Sequence, residues 1–296
     1  MVTVCNVCNV KTARYYRRTS GERLCESCLE SSLEKAIRKH LRQWKVLRPS
    51  SRVLIPIYAH LAIHSTVLAT LIVKSKRGHD SHVYVALFDN PEDEEISSKI
   101  VERLTTLLAR YERWSLLSIR LSPPLKSLST DLFETLRLSR HAAVRVSREL
   151  KASFVLFPLT RTLVLLLVGE ALIRRSCDNL LEVMSEHRAN EITIVNALYP
   201  LEEEAVVSYA YLLGLLEEFD IPGFGHLVLS KTLAEALRGG PDLEFSYNNV
   251  YTKIAKICVS RLGYNRFCSF CGAPSDKEIC EVCSKADFSL HIEKIY

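Results

Sequence analysis

An α/β fold, a doubly wound parallel sheet flanked by N- and C-terminal four-cysteine zinc modules, follows from three features of this sequence. Short apolar, β-branched runs alternate with longer stretches whose apolar residues recur at helical spacing, as in strands joined by crossover helices. The uncharged run Val53 to Val73 begins as a strand and continues as a helix, the seed of a βαβ unit. Eight of the ten cysteines fall in four Cys-x-x-Cys pairs, two near each end of the chain.

At 296 residues, 48% hydrophobic and 25% charged, the chain can bury one large core with small appendages. The expected division is 1–50 for an N-terminal zinc module plus basic helix, 51–264 for the α/β core, and 265–296 for a C-terminal zinc module. Paired cysteines at this spacing point to metal rather than to a secreted disulfide framework. Residues 1–20 carry Lys and Arg in place of an apolar signal core. Val53 to Val73 is long enough to span a bilayer, but Pro56, His60, His64, Ser65, Thr66 and Thr70 interrupt it. A buried strand and helix, no membrane span and a cytoplasmic location are therefore expected.

Taken in order, Cys5-x-x-Cys8 and Cys25-x-x-Cys28 are separated by sixteen residues. Tetrahedral zinc takes four thiolates, and each pair supplies two from one tight turn; a redox dithiol is the rival reading. Between them, Arg14-Tyr15-Tyr16-Arg17-Arg18 predicts a short ribbon with cations and aromatics outward, suited to phosphate and unpaired bases. Leu29 to Leu47 reads as an amphipathic helix with Leu33, Ile37, Leu41 and Trp44 on one stripe, ended by Pro49-Ser50-Ser51. Residues 1–52 hold twelve Lys or Arg against four Glu, a net +8 in a chain of +5 overall, so the remainder sums to −3. Phosphate contacts should concentrate at that basic end.

The first core strand runs to Ile57, and the turn after it is Tyr58-Ala59-His60-Leu61-Ala62-Ile63. In nucleotide-binding α/β folds this turn carries glycines, because bare backbone N–H groups must approach phosphate closely. No glycine, lysine or aspartate occurs between Val53 and Val73. His60 and His64 lie one helical turn apart, but Leu61 breaks the His-Glu-x-x-His pattern, so packing or surface roles are expected. Strands at His82–Phe88, Leu116–Leu121, Ser153–Phe157 and Glu191–Asn196 alternate with helices at Asp89–Tyr111, Thr130–Leu150, Thr162–Ile173 and Glu202–Phe219, the last ended by Pro222-Gly223. A final helix, Tyr247–Leu262, leads to Cys268-x-x-Cys271, eight residues, and Cys280-x-x-Cys283, a second zinc set. Cys177 and Cys258 have no partner in sequence and read as packing residues.

With these residues assembled, the chain resembles the TtuA-type tRNA 2-thiolation family of PP-loop ATPases, whose core is adenine nucleotide α-hydrolase-like. TARYYRRTSGERLCESCLESSLEKAIRKHLR looks like that family's N-terminal zinc module and basic helix, and FCSFCGAPSDKEICEVC like its C-terminal one. Tyr199-Pro200-Leu201-Glu202-Glu203-Glu204, followed by Tyr209-Ala210, resembles its Pro-Leu, acidic, Tyr-Ala segment. The likeness covers nearly the whole chain.

The departures fall on the chemistry. Where the family carries SGGxDS to hold ATP phosphates for adenylation, this chain has Tyr58 to Ile63. Where it carries Gly-His-Asn, this chain has Phe157-Pro158-Leu159-Thr160-Arg161. The family's central cysteines are missing: none lies between Cys28 and Cys177, and the expected Cys-Pro is Ile221-Pro222. These losses argue against ATP and against an iron–sulfur cluster, leaving two zinc ions and no catalytic residues. The resemblance then implies a degenerate relative like the non-catalytic subunit of the cytoplasmic thiolation complex. It would bind tRNA through Arg14, Arg17, Arg18, Arg38 and Lys39, and pair with an active paralogue as a heterodimer, or form a homodimer. The alternatives are a divergent active tRNA thiouridine synthase using ATP, with His60, His64 and Arg161 as its polar groups, and a zinc-ribbon RNA- or ribosome-binding protein unrelated to thiolation.

Overall fold

The computed structural model of the chain describes residues 3–75, 81–89, 94–129, 131–184, 186–216, 249–255, 257, 258, 260 and 266–296. The chain starts with a two-stranded antiparallel ribbon, β1 (Tyr15–Arg17) and β2 (Glu22–Leu24), followed by α1 (Glu26–Leu41). Side chains alternate across a ribbon, so Tyr15 is buried while Tyr16 is exposed; only one of the two aromatics faces outward, not both. Helix α1 buries Leu29, Leu33, Ile37 and Leu41, one residue per turn. It stops six residues before the expected Leu47, because the chain tightens into a 3-10 turn at Arg42–Trp44 and Lys45 takes the left-handed φ of 58°.

The core follows as β3 (Arg52–Ile57), α2 (Ala62–Ser75), β4 (His82–Asp89), α3 (Glu94–Leu108), β5 (Trp114–Ser122), α4 (Leu125–Leu128), α5 (Leu132–Glu149) and β6 (Phe154–Phe157). It continues through α6 (Arg161–Ile173), α7 (Cys177–Leu181), β7 (Glu186–Ala189), β8 (Ile192–Asn196) and α8 (Glu203–Leu212). Residues 249–255 are helical; β9 (Arg266–Phe267), β10 (Pro274–Ser275), α9 (Glu281–Lys285) and β11 (Ser289–Lys294) end the chain. Seven strands form one sheet in the order β11-β5-β4-β3-β6-β8-β7. The inner five are parallel, whereas β11 and β7 pair antiparallel at the two edges. The fold is thus the expected doubly wound α/β sheet, with two edge strands that periodicity does not reveal.

Those edge strands are polar (EHRA and SLHIEK), and β11 is largely exposed, so neither carries the apolar run that marks the buried parallel strands. Pro91 and Pro222-Gly223 lie outside the described residues. Helix α8 reaches only Leu212, where Gly214 at φ +71° turns the chain instead. Asp131 caps α5, accepting from the N–H groups of Phe133 and Glu134 at 2.9 and 3.1 Å.

Every residue of α2 except Lys74 is buried, which accounts for the uncharged run. Its apolar residues pack with α1, α3, α8 and one face of the sheet. Ala142, Val144 and Val146 of α5 and Phe288 pack on the other face, against Leu54, Ile119 and Val155. A third cluster joins α6 and α7 to Tyr251, Ala255 and Cys258. Among the described residues, no helix is long and apolar enough to cross a membrane.

Candidate functional site

The parallel strands present their carboxyl ends along one edge of the sheet. The winding reverses between β3 and β6, which pair directly while the chain runs from β3 to β4 on the other side. Ligands of open α/β sheets bind in the crevice outside such a reversal. Tyr58 stands there, immediately after β3. Its ring is buried, stacks on Phe88 at 4.5 Å and His60 at 5.8 Å, and lies 6.3 Å from Phe157. Burial holds its phenol well above the ordinary range, so the hydroxyl stays a donor, here to the Ser139 carbonyl at 2.5 Å. Ala59–Leu61 form a 3-10 turn, and Leu61, Ala62 and Ile63 are buried. Aromatic and aliphatic side chains fill the place where a phosphate cradle would present bare N–H groups.

Three consecutive glutamates of the α8 entry reach three different neighbours. Glu202 approaches Arg161 at 3.6 Å, and Glu204 approaches Arg18 of the ribbon at 3.5 Å. Glu203 is held by both carboxylate oxygens: His64 Nε2 donates at 2.6 Å and the Thr160 hydroxyl at 2.6 Å. Its own N–H donates to the Thr162 hydroxyl at 3.2 Å. The polar groups that a divergent enzyme would bring to the crevice, His64 and Arg161, are therefore turned onto acids of this same chain. No sequence signal pairs His64 with Glu203, which lie 139 residues apart.

The basic ribbon lies beside this edge. Helix α1 is fixed to the core by Lys74–Glu30 at 2.9 Å and by His40 Nε2, which donates to the Asn196 carbonyl at 3.2 Å. Of the five cations expected to meet nucleic acid, Arg14, Arg18, Arg38 and Lys39 are exposed. Arg17 is half-buried and turns its guanidinium into the module, onto Glu22 at 2.6 Å and the Ser32 hydroxyl at 2.8 Å. Arg38 also meets Glu34 at 3.4 Å.

Both cysteine sets close as their spacing predicts. The Sγ atoms of Cys5, Cys8, Cys25 and Cys28 lie within 4.8 Å of one another, and so do those of Cys268, Cys271, Cys280 and Cys283. Cys8–Cys25 and Cys271–Cys280 are each 3.8 Å apart, which is about the edge of a tetrahedron with ~2.3 Å zinc–sulfur bonds. Both sets thus could bind zinc. Burial raises the Cys5 thiol, but N–H donors from Cys8, Cys25 and Val7 outweigh it and bring it down to about 6. In the second set Gly272 takes φ +71°, and a Cβ there would come within 3.0 Å of the Arg188 backbone.

Helix α5 holds both the segment after α7 and that second module. Arg137 Nε donates to Glu182 at 2.6 Å, Arg140 donates to the same buried carboxylate, and Arg148 donates to the Ser269 carbonyl at 2.6 Å. His141 lies 4.7 Å from Phe270 and 4.9 Å from Phe288, and burial with nearby Arg145 lowers it to about 4. Cys177 and Cys258 are not separate packing residues: they form a disulfide, with Cα atoms 5.5 Å apart. They stand 81 positions apart, so only the tertiary fold joins them.

No family model matches the sequence, and no curated protein matches it either. A solved structure does: the U34-tRNA thiolase NcsA from Methanococcus maripaludis with its [4Fe-4S] cluster, at a TM-score of 0.64 over 96% of each chain and 19% identity. The chain has that thiolase's fold. An NAD+ synthetase from Burkholderia pseudomallei aligns at a TM-score of 0.39 and 13% identity, over 65% of this chain and 71% of that one. The thiolase corrects one expectation: it carries an iron–sulfur cluster, so a protein of this fold does hold one, and the expectation that such a cluster is unlikely does not stand. Thiolates bind iron as well as zinc, and the loss of central cysteines leaves eight others grouped in fours.

Proposed function

We propose that this chain is a non-catalytic relative of the tRNA 2-thiolation enzymes, which binds tRNA and pairs with an active paralogue. The likeness to a tRNA thiolase over 96% of both chains supports a role in tRNA thiolation. One observation carries the non-catalytic part: the buried Tyr58 ring, stacked on Phe88 at 4.5 Å, occupies the crevice outside β3 and β6. A phosphoryl group needs backbone N–H groups or cations there, and the available His64 and Arg161 face Glu203 and Glu202.

In this reading residues 1–50 are the RNA-binding module, 51–264 the core that meets the paralogue, and 265–296 the second metal module. Each four-thiolate set holds a metal ion and keeps its short ribbon folded. Arg14, Arg18, Arg38 and Lys39 contact phosphates, and Tyr16 stacks on an unpaired base. Working in the cytoplasm, the chain positions tRNA while its partner performs the chemistry. The test is thiolation of tRNA by purified chain, ATP and a sulfur donor, with and without the co-purifying partner. Thiolated nucleoside only with the partner supports the proposal; product from this chain by itself contradicts it.

A further inference from the structure

Eight of the ten cysteines form the two metal-type groups, and the remaining two find each other across 81 residues. We infer that Cys177 is a site of reversible S-thiolation by a low-molecular-weight disulfide, with Cys258 as the resolving thiol. The two sulfurs differ in access. Cys258 is 4% exposed, within the apolar cluster of Leu163, Val164, Leu180 and Tyr251, whereas Cys177 is only half-buried at the start of α7. Cys177 packs at the rim of that cluster, and its neighbours Ser176 and Asp178, not Cys177 itself, border a polar cavity with Arg137 and Lys285. Its partial exposure gives a small thiol reagent an approach that the buried Cys258 lacks.

The chemistry follows from this asymmetry. The Cys177 thiolate attacks a glutathione-type disulfide RSSR, forming Cys177–S–S–R and releasing RS−. The Cys258 thiolate then attacks the Cys177 sulfur, forming the internal bridge and releasing the second RS−. In balance, RSSR and two protein thiols give one protein disulfide and two RSH. Two RS− equivalents reverse the sequence, again entering at Cys177. Closing the bridge fastens the helical segment that carries Cys258 to α7, just ahead of the C-terminal metal module. The inference does not depend on the proposed role in tRNA thiolation.

The test uses the full, metal-loaded chain, reduced and then treated with glutathione disulfide. In Cys258→Ser, peptide mapping should find a stable glutathionyl adduct on Cys177. In Cys177→Ser, Cys258 should be modified at least about tenfold more slowly, in keeping with its burial. Treated wild type should carry no lasting adduct and instead lose two hydrogens in mass. Equal modification of both single variants, or a stable adduct on wild type, overturns the assignment. Should the serine variants fail to fold, the wild-type bridge still decides: opening by reduced glutathione in the native state supports it, and opening only after unfolding overturns it.

Discussion

At the residue scale, the two adjacent ribbon arginines have different duties. Arg17 bonds Glu22 and Ser32 inside the module, whereas Arg18 is exposed and meets Glu204 across the ribbon edge at 3.5 Å. Replacing Arg18 by Gln should weaken tRNA binding and lower the slope of log affinity against log salt by roughly one, leaving thermal stability unchanged. Replacing Arg17 by Gln should instead cost about 1 kcal/mol of stability, read from urea midpoints. Tyr58 gives a second test. Tyr58→Phe removes one bond to the Ser139 carbonyl, which lies within the α5 ladder, and should cost about 1 kcal/mol, while Tyr58→Ala also removes the buried ring and should cost roughly 3–5 kcal/mol.

Helix α1 contributes to the pH dependence at the scale of an element, alongside the buried His141 of α5 and His187 of β7, which are depressed in the same direction. Burial holds His40 below the ordinary histidine range, against the opposing effect of its bond to the Asn196 carbonyl. A group depressed in the folded state takes up protons more readily when unfolded. Its contribution is therefore complete above the unfolded value, about 6.5, and is lost as pH falls below that toward the folded one. Urea midpoints at pH 7.5, 6.5 and 5.5 should fall with pH, and less steeply in His40→Phe; parallel curves would remove His40 as a cause. Helix α5 is held differently, by Arg137 and Arg140 on the buried Glu182. Glu182→Gln strands two guanidinium groups and should cost about 3–5 kcal/mol.

The parallel strands were legible in sequence because burial on both faces demands continuous apolar runs such as Val53 to Ile57. Strands β7 and β11 were not legible, since an edge strand needs only one covered side and these are polar. The two metal sets were legible because tight turns impose a fixed Cys-x-x-Cys spacing. The His64–Glu203–Thr160 contacts and the Cys177–Cys258 bridge were hidden, because each joins residues tens of positions apart through tertiary packing alone. The filled crevice was readable as missing glycines, but the stacking of Tyr58 on Phe88 required the sheet register.

Across the whole molecule, the C-terminal four-cysteine module and the core are joined through one sheet edge. The C-terminal module leads into β11, which covers the edge of β5, and Tyr296 packs against Trp114 at 4.8 Å. Removing metal with a strong chelator should therefore loosen that sheet edge as well as the module, seen as faster amide exchange in β5; exchange changes confined to 266–285 would limit the coupling to the module. The ribbon, the acidic triplet and the crevice share one edge of the sheet, so RNA bound at Arg18 would lie beside a pocket already filled by Tyr58. Mass-spectrometric quantification of 2-thiouridine in tRNA, after incubation with this chain, ATP and a sulfur donor, tests that account most directly. It predicts no thiolated nucleoside from the chain by itself and product once the active paralogue is added; product without the paralogue would contradict it.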